Sequence, residues 1–185
     1  MKTILIENGA IQISHKGDAP LAGEVADNIV TTMASNHPLV VNYGDDIPLV
    51  FYSKSKNLIG ACLLTKERLE NDFLKTGMKE VIARYGLLSK DVSVYVGPGL
   101  TFAHVVVDRE ELLSVIAKGY TGAAKRTEGV DFIDLQVLAT YQLRAVGIPF
   151  DNITIDSNDT FESEDLFYSP LRGDKELNSI SIVTK

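Results

Sequence analysis

Apolar positions in the first third of the chain come as short runs separated by polar turns. Ile4–Ile6 and Ile11–Ile13 flank Asn8-Gly9, a turn pair, and this pattern predicts a hairpin. Residues 16–23 carry Gly17, Asp18, Pro20 and Gly23 and read as loop. The runs 39–42, 47–52 and 58–64 predict three strands with polar connectors between them. The last run is almost wholly apolar, as expected of a strand covered on both faces. The period then changes. Leu69, Phe73, Val81, Ile82 and Tyr85 lie near one helical face, predicting a helix over roughly 66–85 that Gly77 weakens and Gly86 stops. Val92, Val94 and Val96 alternate as a strand into Gly97-Pro98-Gly99. Asp108 and Glu111 have capping-box spacing ahead of a helix holding Leu112, Leu113, Val115 and Ile116, with Asp in place of the usual Ser or Thr. Asp134 is placed to cap another helix that Gly147 and Pro149 end. Runs 153–155 and 180–183 complete the strands. This mixture predicts an α/β or α+β sandwich around one core. With no linker and no internal repeat, residues 1–185 read as a single domain.

Composition narrows the function classes. A chain of 185 residues that is 45% hydrophobic can build a core without staples. Its 25 acidic and 18 basic residues leave a formal charge of −7, which argues against double-stranded nucleic acid as a partner. The opening MKTILIEN is too short for a signal h-region, and no run approaches the roughly 18 apolar residues of a membrane span. Cys62 is the only cysteine, so no internal disulfide forms, and a cytoplasmic location is expected. A symmetric homodimer is compatible with all of this.

Chemistry-bearing residues are few. No P-loop, HExxH, GxSxG or CxxC pattern occurs. Gly97 and Gly99 either shape a plain tight turn or offer backbone N–H groups to a ligand. His37 precedes Pro38 and reads as surface or packing, whereas His15 and His104 are candidates for a ligand-facing role. Cys62 sits in an unbroken apolar run and reads first as a small core hydrophobe. As a nucleophile it would need an exposed site and a partner lowering its pKa. Asp45 and Asp46 are adjacent, so their side chains diverge on a strand. One can hold the turn while the other faces a cavity.

Several blocks in order resemble the laccase-domain, or polyphenol oxidase, family. Ala26-Asp27-Asn28-Ile29-Val30-Thr31 is similar to its Ala-Asp-Ala-Leu-Val-Thr, and Asp45-Asp46-Ile47-Pro48-Leu49-Val50 to its Asp-Cys-Val-Pro-Val-Leu. Gly97-Pro98-Gly99-Leu100 resembles the family's Gly-Pro-x-Ile turn. Gln142-Leu143-Arg144-Ala145-Val146-Gly147-Ile148 resembles its Gln-Leu-x-x-Ala-Gly-Val helix. Phe167-Tyr168-Ser169, with Arg172 or Asp174 behind it, echoes Phe-Phe-Ser and Arg-Arg-Asp. The resemblance runs over about residues 11–184 and implies an α/β layered sandwich of mixed β-sheets flanked by helices. It also implies zinc-dependent chemistry on purine nucleosides, namely phosphorolysis and deamination.

The departures fall on the metal site. The family binds zinc through a histidine of Gln-Val-His-Gly, the cysteine after Asp, and the histidine of His-Ala-Gly-Trp-Arg-Gly. Asp46 stands at the cysteine position and Leu63 at the second histidine position, followed by Leu64-Thr65-Lys66-Glu67. His15 is the nearest match to the first histidine, and the family's N-terminal segment is largely missing ahead of it. Leucine cannot bind zinc. The expectation is therefore a divergent member with a degenerate metal site and no resident cofactor, keeping a cleft for a small molecule such as a purine nucleoside or for a partner. In that reading Gly97, Gly99, His104 and Arg172 line the cleft. One alternative is an active enzyme with zinc held by a rearranged set of His15, Asp46 and His104, where Asp46 has the catalytic role. Another is a cysteine hydrolase, as in the deamidating toxins of similar fold, with Cys62 beside His15 or His104.

Overall fold

In a computed structural model, the described residues are 1–6, 9–33 and 37–184. The chain opens with β1 (Lys2–Ile6) and β2 (Gly9–Ile13), then β3 (Glu24–Val25) and β4 (Val30–Met33). Three longer strands follow: β5 (Leu39–Tyr43), β6 (Ile47–Ser53) and β7 (Leu58–Leu64). Helices α1 (Lys66–Glu70) and α2 (Phe73–Tyr85) lead into β8 (Val92–Val96). Next come β9 (Val106–Val107), α3 (Arg109–Ala117), β10 (Ala124–Thr127) and β11 (Val130–Ile133). Helix α4 (Leu135–Ala145), β12 (Ile153–Ile155) and β13 (Asn178–Thr184) end the described chain.

The strands form three sheets, in the orders β1-β2-β13-β5-β3, β12-β8-β6-β7-β4 and β10-β11-β9. The first two stack face to face. Ile13, Leu39, Val41 and Ile180 of the first pack on Val50, Ile59 and Ala61 of the second. The other face of the second sheet, with Leu49, Phe51, Cys62 and Leu64, packs on Leu69, Leu74, Leu138 and Leu143 of the helices. Strand β7 therefore sends alternate side chains into two different cores, which explains its near-continuous apolar run. The fold is a layered α/β sandwich of mixed sheets with helices on one side. No helix among the described residues is long and apolar enough to cross a membrane.

Most expected elements form. The hairpin β1–β2 is antiparallel, with Ile6 opposite Gly9, while Asn8 of its proposed turn pair lies outside the described residues. The capping box on α3 is complete. Glu111 N–H donates to Asp108 at 2.8 Å and Asp108 N–H to Glu111 at 2.9 Å. Asp134 caps α4 by accepting from Val137 N–H at 2.9 Å. The expected helix over 66–85 is two helices. Asp72 takes a left-handed backbone at φ 57° between them. Buried Gln142 of α4 accepts from Lys75 N–H at 3.1 Å and donates to Leu69 carbonyl at 2.5 Å, satisfying the helix ends that the break exposes. Gly77 lies within α2, where Ile29 fills the space a side chain would need. The sequence pattern did not point to β3, β4 or the small sheet of β9, β10 and β11. Each has only two to four residues, too few for periodicity to register.

Candidate functional site

The polar chemistry gathers at one end of the second sheet, where the chain enters β6 and leaves β7. Ile47 pairs with Leu64 and Pro48 with Leu63, which brings Asp46 and Thr65 to the same edge. The turn after β8 closes over this edge. Gly97 N–H donates to Pro48 carbonyl at 2.8 Å, and Leu100 N–H to Asp45 carbonyl at 3.0 Å. A side chain at Gly99 would collide with Ile47 and crowd the Asp45 and Asp46 carbonyls. Both glycines thus serve close packing of this turn on β6, and the Gly97 carbonyl is taken by Gln136 at 3.0 Å. Of the two roles expected for Gly97 and Gly99, the contacts in the structure account for the tight turn.

Asp45 and Asp46 diverge as expected, with different environments. Asp45 accepts from Thr160 hydroxyl at 2.7 Å and from Leu171 N–H at 2.8 Å, so it ties two distant loops to the mouth of β6. Asp46 is half-buried and its carboxylate makes no hydrogen bond among the described residues. Burial raises its pKa, neighbouring Asp45 adds to the rise, and Arg68 opposes both.

His104 follows the Gly97–Gly99 turn. Its Nδ1 lies 3.0 Å from Asp159 and its Nε2 3.2 Å from exposed Glu162, with the Phe161 ring at 4.7 Å. Asp159 also accepts from Thr101 N–H and hydroxyl at 2.8 and 2.6 Å. Burial alone would raise the Asp159 pKa, but the bonds from Thr101, His104 and Glu162 N–H outweigh it and hold the carboxyl at about 2. His15 stands apart from this group. Its ring meets Phe167 edge-on at 5.7 Å and faces the Met1 amine at 3.4 Å, and its N–H is held by Asp18 at 2.8 Å. Arg172, expected in the cleft, is turned inward. It donates to the carbonyls of Thr160, Phe161 and Phe167 at 3.1, 2.6 and 2.6 Å and pairs with Asp174 at 2.6 Å. Its guanidinium is a loop clamp. Cys62 is fully buried, and burial pushes its thiol up to about 12. Such burial suits the core role expected of it and offers neither the exposure nor the lowered pKa that a nucleophile needs.

A cleft of about 860 Å³ lies between the end of β7 and the α1–α2 break. Leu63, Thr65, Arg68, Phe73, Asp27 and Glu80 are among its walls. Thr65 caps α1 by accepting from Arg68 N–H at 3.2 Å, which sets Arg68 in the first turn. Side chains of a helix tilt toward its N-terminus, so Arg68 folds back onto the strand end. There it donates to the Leu63 and Asp27 carbonyls at 2.8 and 2.5 Å. Sequence reasoning reached Leu63 but missed Arg68. The signal was present in Thr65, a good N-cap three residues ahead.

The zinc that the resemblance implies does not fit these residues. Leu63 offers only hydrocarbon, and Asp46 is a single carboxylate beside a fixed guanidinium. No group of three or more His, Cys, Asp or Glu side chains among the described residues is placed to hold a metal ion. His15, Asp46 and His104 are accordingly not brought together as a ligand set.

Comparison with known proteins agrees with the fold. A purine nucleoside phosphorylase of Staphylococcus epidermidis is 28% identical over 142 residues, covering 75% of this chain and 52% of that protein. The chain spans about half the length of this curated relative. The crystal structure of Bacillus licheniformis hypothetical protein YfiH superposes with a TM-score of 0.77 at 20% identity, covering 85% of this chain and 61% of that one. YlmD from Geobacillus stearothermophilus gives 0.77 at 20% identity, with 86% and 62% covered. Neisseria meningitidis protein NMB0706 gives 0.73 at 16%, with 88% and 71% covered. The model of the multi-copper polyphenol oxidoreductase laccase family matches residues 7–179. With the ordered sequence blocks, the layered sandwich and a match over most of its length, the chain belongs to that family.

Proposed function

We propose that this chain is a divergent member that has lost zinc-dependent purine nucleoside chemistry and keeps the cleft walled by Leu63 and Arg68 as a binding site for a small polar molecule. The observation that carries this reading is Leu63 on the cleft wall, at the position the resemblance assigns to a metal-binding histidine. Asp46 at the cysteine position adds one oxygen donor, short of the three protein ligands a catalytic zinc keeps. A phosphorolysis that depended on such a site would lack its electrophile. The cleft itself supports binding, since it joins an apolar wall of Leu63 and Phe73 to polar groups from Thr65, Asn71 and Thr76. A purine nucleoside is the first ligand to test, because the Staphylococcus relative carries the name purine nucleoside phosphorylase.

The test combines metal content with turnover. Untagged protein purified without chelator and re-equilibrated with zinc is expected to hold no stoichiometric metal by plasma mass spectrometry. Inosine or adenosine with phosphate is expected to give neither ribose 1-phosphate nor deaminated product above the rate without protein. Near one zinc per chain, together with phosphate-dependent turnover that Asp46→Ala abolishes, would overturn the reading in favour of an active enzyme with a rearranged site.

A further inference from the structure

The acceptors around Arg68 converge on it from separate segments. Nη1 donates to the Asp27 carbonyl at 2.5 Å and the Leu63 carbonyl at 2.8 Å, and Nη2 to the Asn28 side-chain oxygen at 3.2 Å. The Phe73 ring centre lies 5.1 Å from Cζ. Asp27 carbonyl also accepts from Leu63 N–H at 3.3 Å, so the two segments already touch where the guanidinium bridges them. Asp46, without a hydrogen bond among the described residues, feels the same charge.

We infer that this corner of the cleft is a cation site filled from within, and that the Arg68 guanidinium is its resident cation, tying the end of β7 to residues 27–28. The inference rests on the functional reading above only in that the donors form no metal site. Its acceptors are two peptide carbonyls, one amide oxygen and an aromatic face. These are neutral groups from separate segments, which suit a broad, weakly hydrated cation with several donors. Charge-assisted bonds of this kind are about twice as strong as neutral ones. Zinc wants imidazole, thiolate or carboxylate ligands in a tetrahedron about 2.0–2.3 Å from the ion. An ammonium is a compact point charge and cannot reach Leu63, Asp27 and Asn28 in the same fork. The cleft therefore has a built-in positive charge that does not vary with metal supply.

Chemical rescue tests this. Arg68→Ala is expected to lower the melting temperature by at least about 5 °C, since it leaves acceptors from two segments unbridged. Methylguanidinium at low millimolar concentration is expected to recover part of that loss saturably in the variant while leaving the unsubstituted protein unmoved. Methylammonium and zinc are expected to recover none, and Arg68→Lys to melt near Arg68→Ala. An unchanged melting temperature in Arg68→Ala, equal recovery by methylammonium, or failure of rescue would each overturn the assignment. Should Arg68→Ala not fold, Arg68→Lys still decides it: a variant as stable as the parent would sink the assignment, and a clear loss of stability would support it. Turnover of nucleosides would defeat the functional reading and leave rescue untouched, so the two failures are separable.

Discussion

The two sides of the β6 mouth handle polar groups differently. On one side, Asp45 joins the mouth of β6 to Thr160 and Leu171, Asp159 joins the turn after β8 to the same segment, and Arg172 braces that segment from within. The side chains there act as mortar between loops that lack regular structure. On the other side, Asp46 makes no hydrogen bond among the described residues, and the guanidinium of Arg68, whose charge it feels, is committed to backbone carbonyls and lines the cleft. Neighbouring carboxylates of one chemistry thus have different work. A satisfied polar network specifies structure, and an unsatisfied group beside a cavity is where a ligand can still gain by binding.

That contrast can be broken most forcefully at Arg172. Arg172→Ala removes the side-chain donor of three part-buried carbonyls and leaves Asp174 with only the Ser169 N–H, and is expected to cost about 2–3 kcal/mol in urea unfolding. A cost under about 1 kcal/mol would place Arg172 outside the mortar. Asp159 comes next. Its carboxyl, held at about 2, contributes stability that is fully present above the ordinary carboxylate value near 4 and is lost as pH falls toward 2. Asp159→Asn is expected to remove about 2 kcal/mol at pH 7 and to flatten the unfolding profile between pH 4 and 2. An acid limb of unchanged slope would refute the pairing with Thr101 and His104.

Asp46 sharpens the contrast with the opposite sign. Its raised pKa means the folded state holds its proton longer than the unfolded chain, so stability falls as pH rises from the ordinary value through the folded one. Asp46→Asn is expected to be neutral or stabilising at pH 7 by less than about 1 kcal/mol, because solvent screens a half-exposed group. A clear loss of stability would mean that Asp46 has a partner. The smallest effect is at Cys62, which is expected not to react with a thiol reagent in the native protein and to react once in denaturant. Native labelling at a rate independent of global unfolding would show an open path to it.

Much of the scaffold was legible because its strands are unusual in composition. The run 58–64 reads as a strand covered on both faces because each of its two faces does enter a core. The caps at Asp108 and Asp134 were legible because a capping bond is local, spanning three residues. The break between α1 and α2 was not, since its stability comes from Gln142, some seventy residues downstream. The site divides the same way. Divergence of Asp45 and Asp46 follows from strand geometry, and a core role for Cys62 follows from its neighbours. Where Arg172 turns its guanidinium, and which acceptors surround Arg68, depend on contacts between remote segments. Those positions carried no periodic or motif signal.

The position of β13 has a consequence for how the chain is made. It lies between β2 and β5, in the middle of the first sheet, and pairs with residues about 140 to 170 positions earlier. While synthesis proceeds, β2 and β5 have no neighbour to join them until residues 178–184 leave the ribosome. The second sheet needs only residues up to β12 and can assemble earlier. For most of translation, the nascent protein therefore exposes two unpaired strand edges, the surface that chaperones recognise and other nascent chains can capture. Premature termination shortly before residue 178 should accordingly yield a product lost to aggregation rather than a weakened fold.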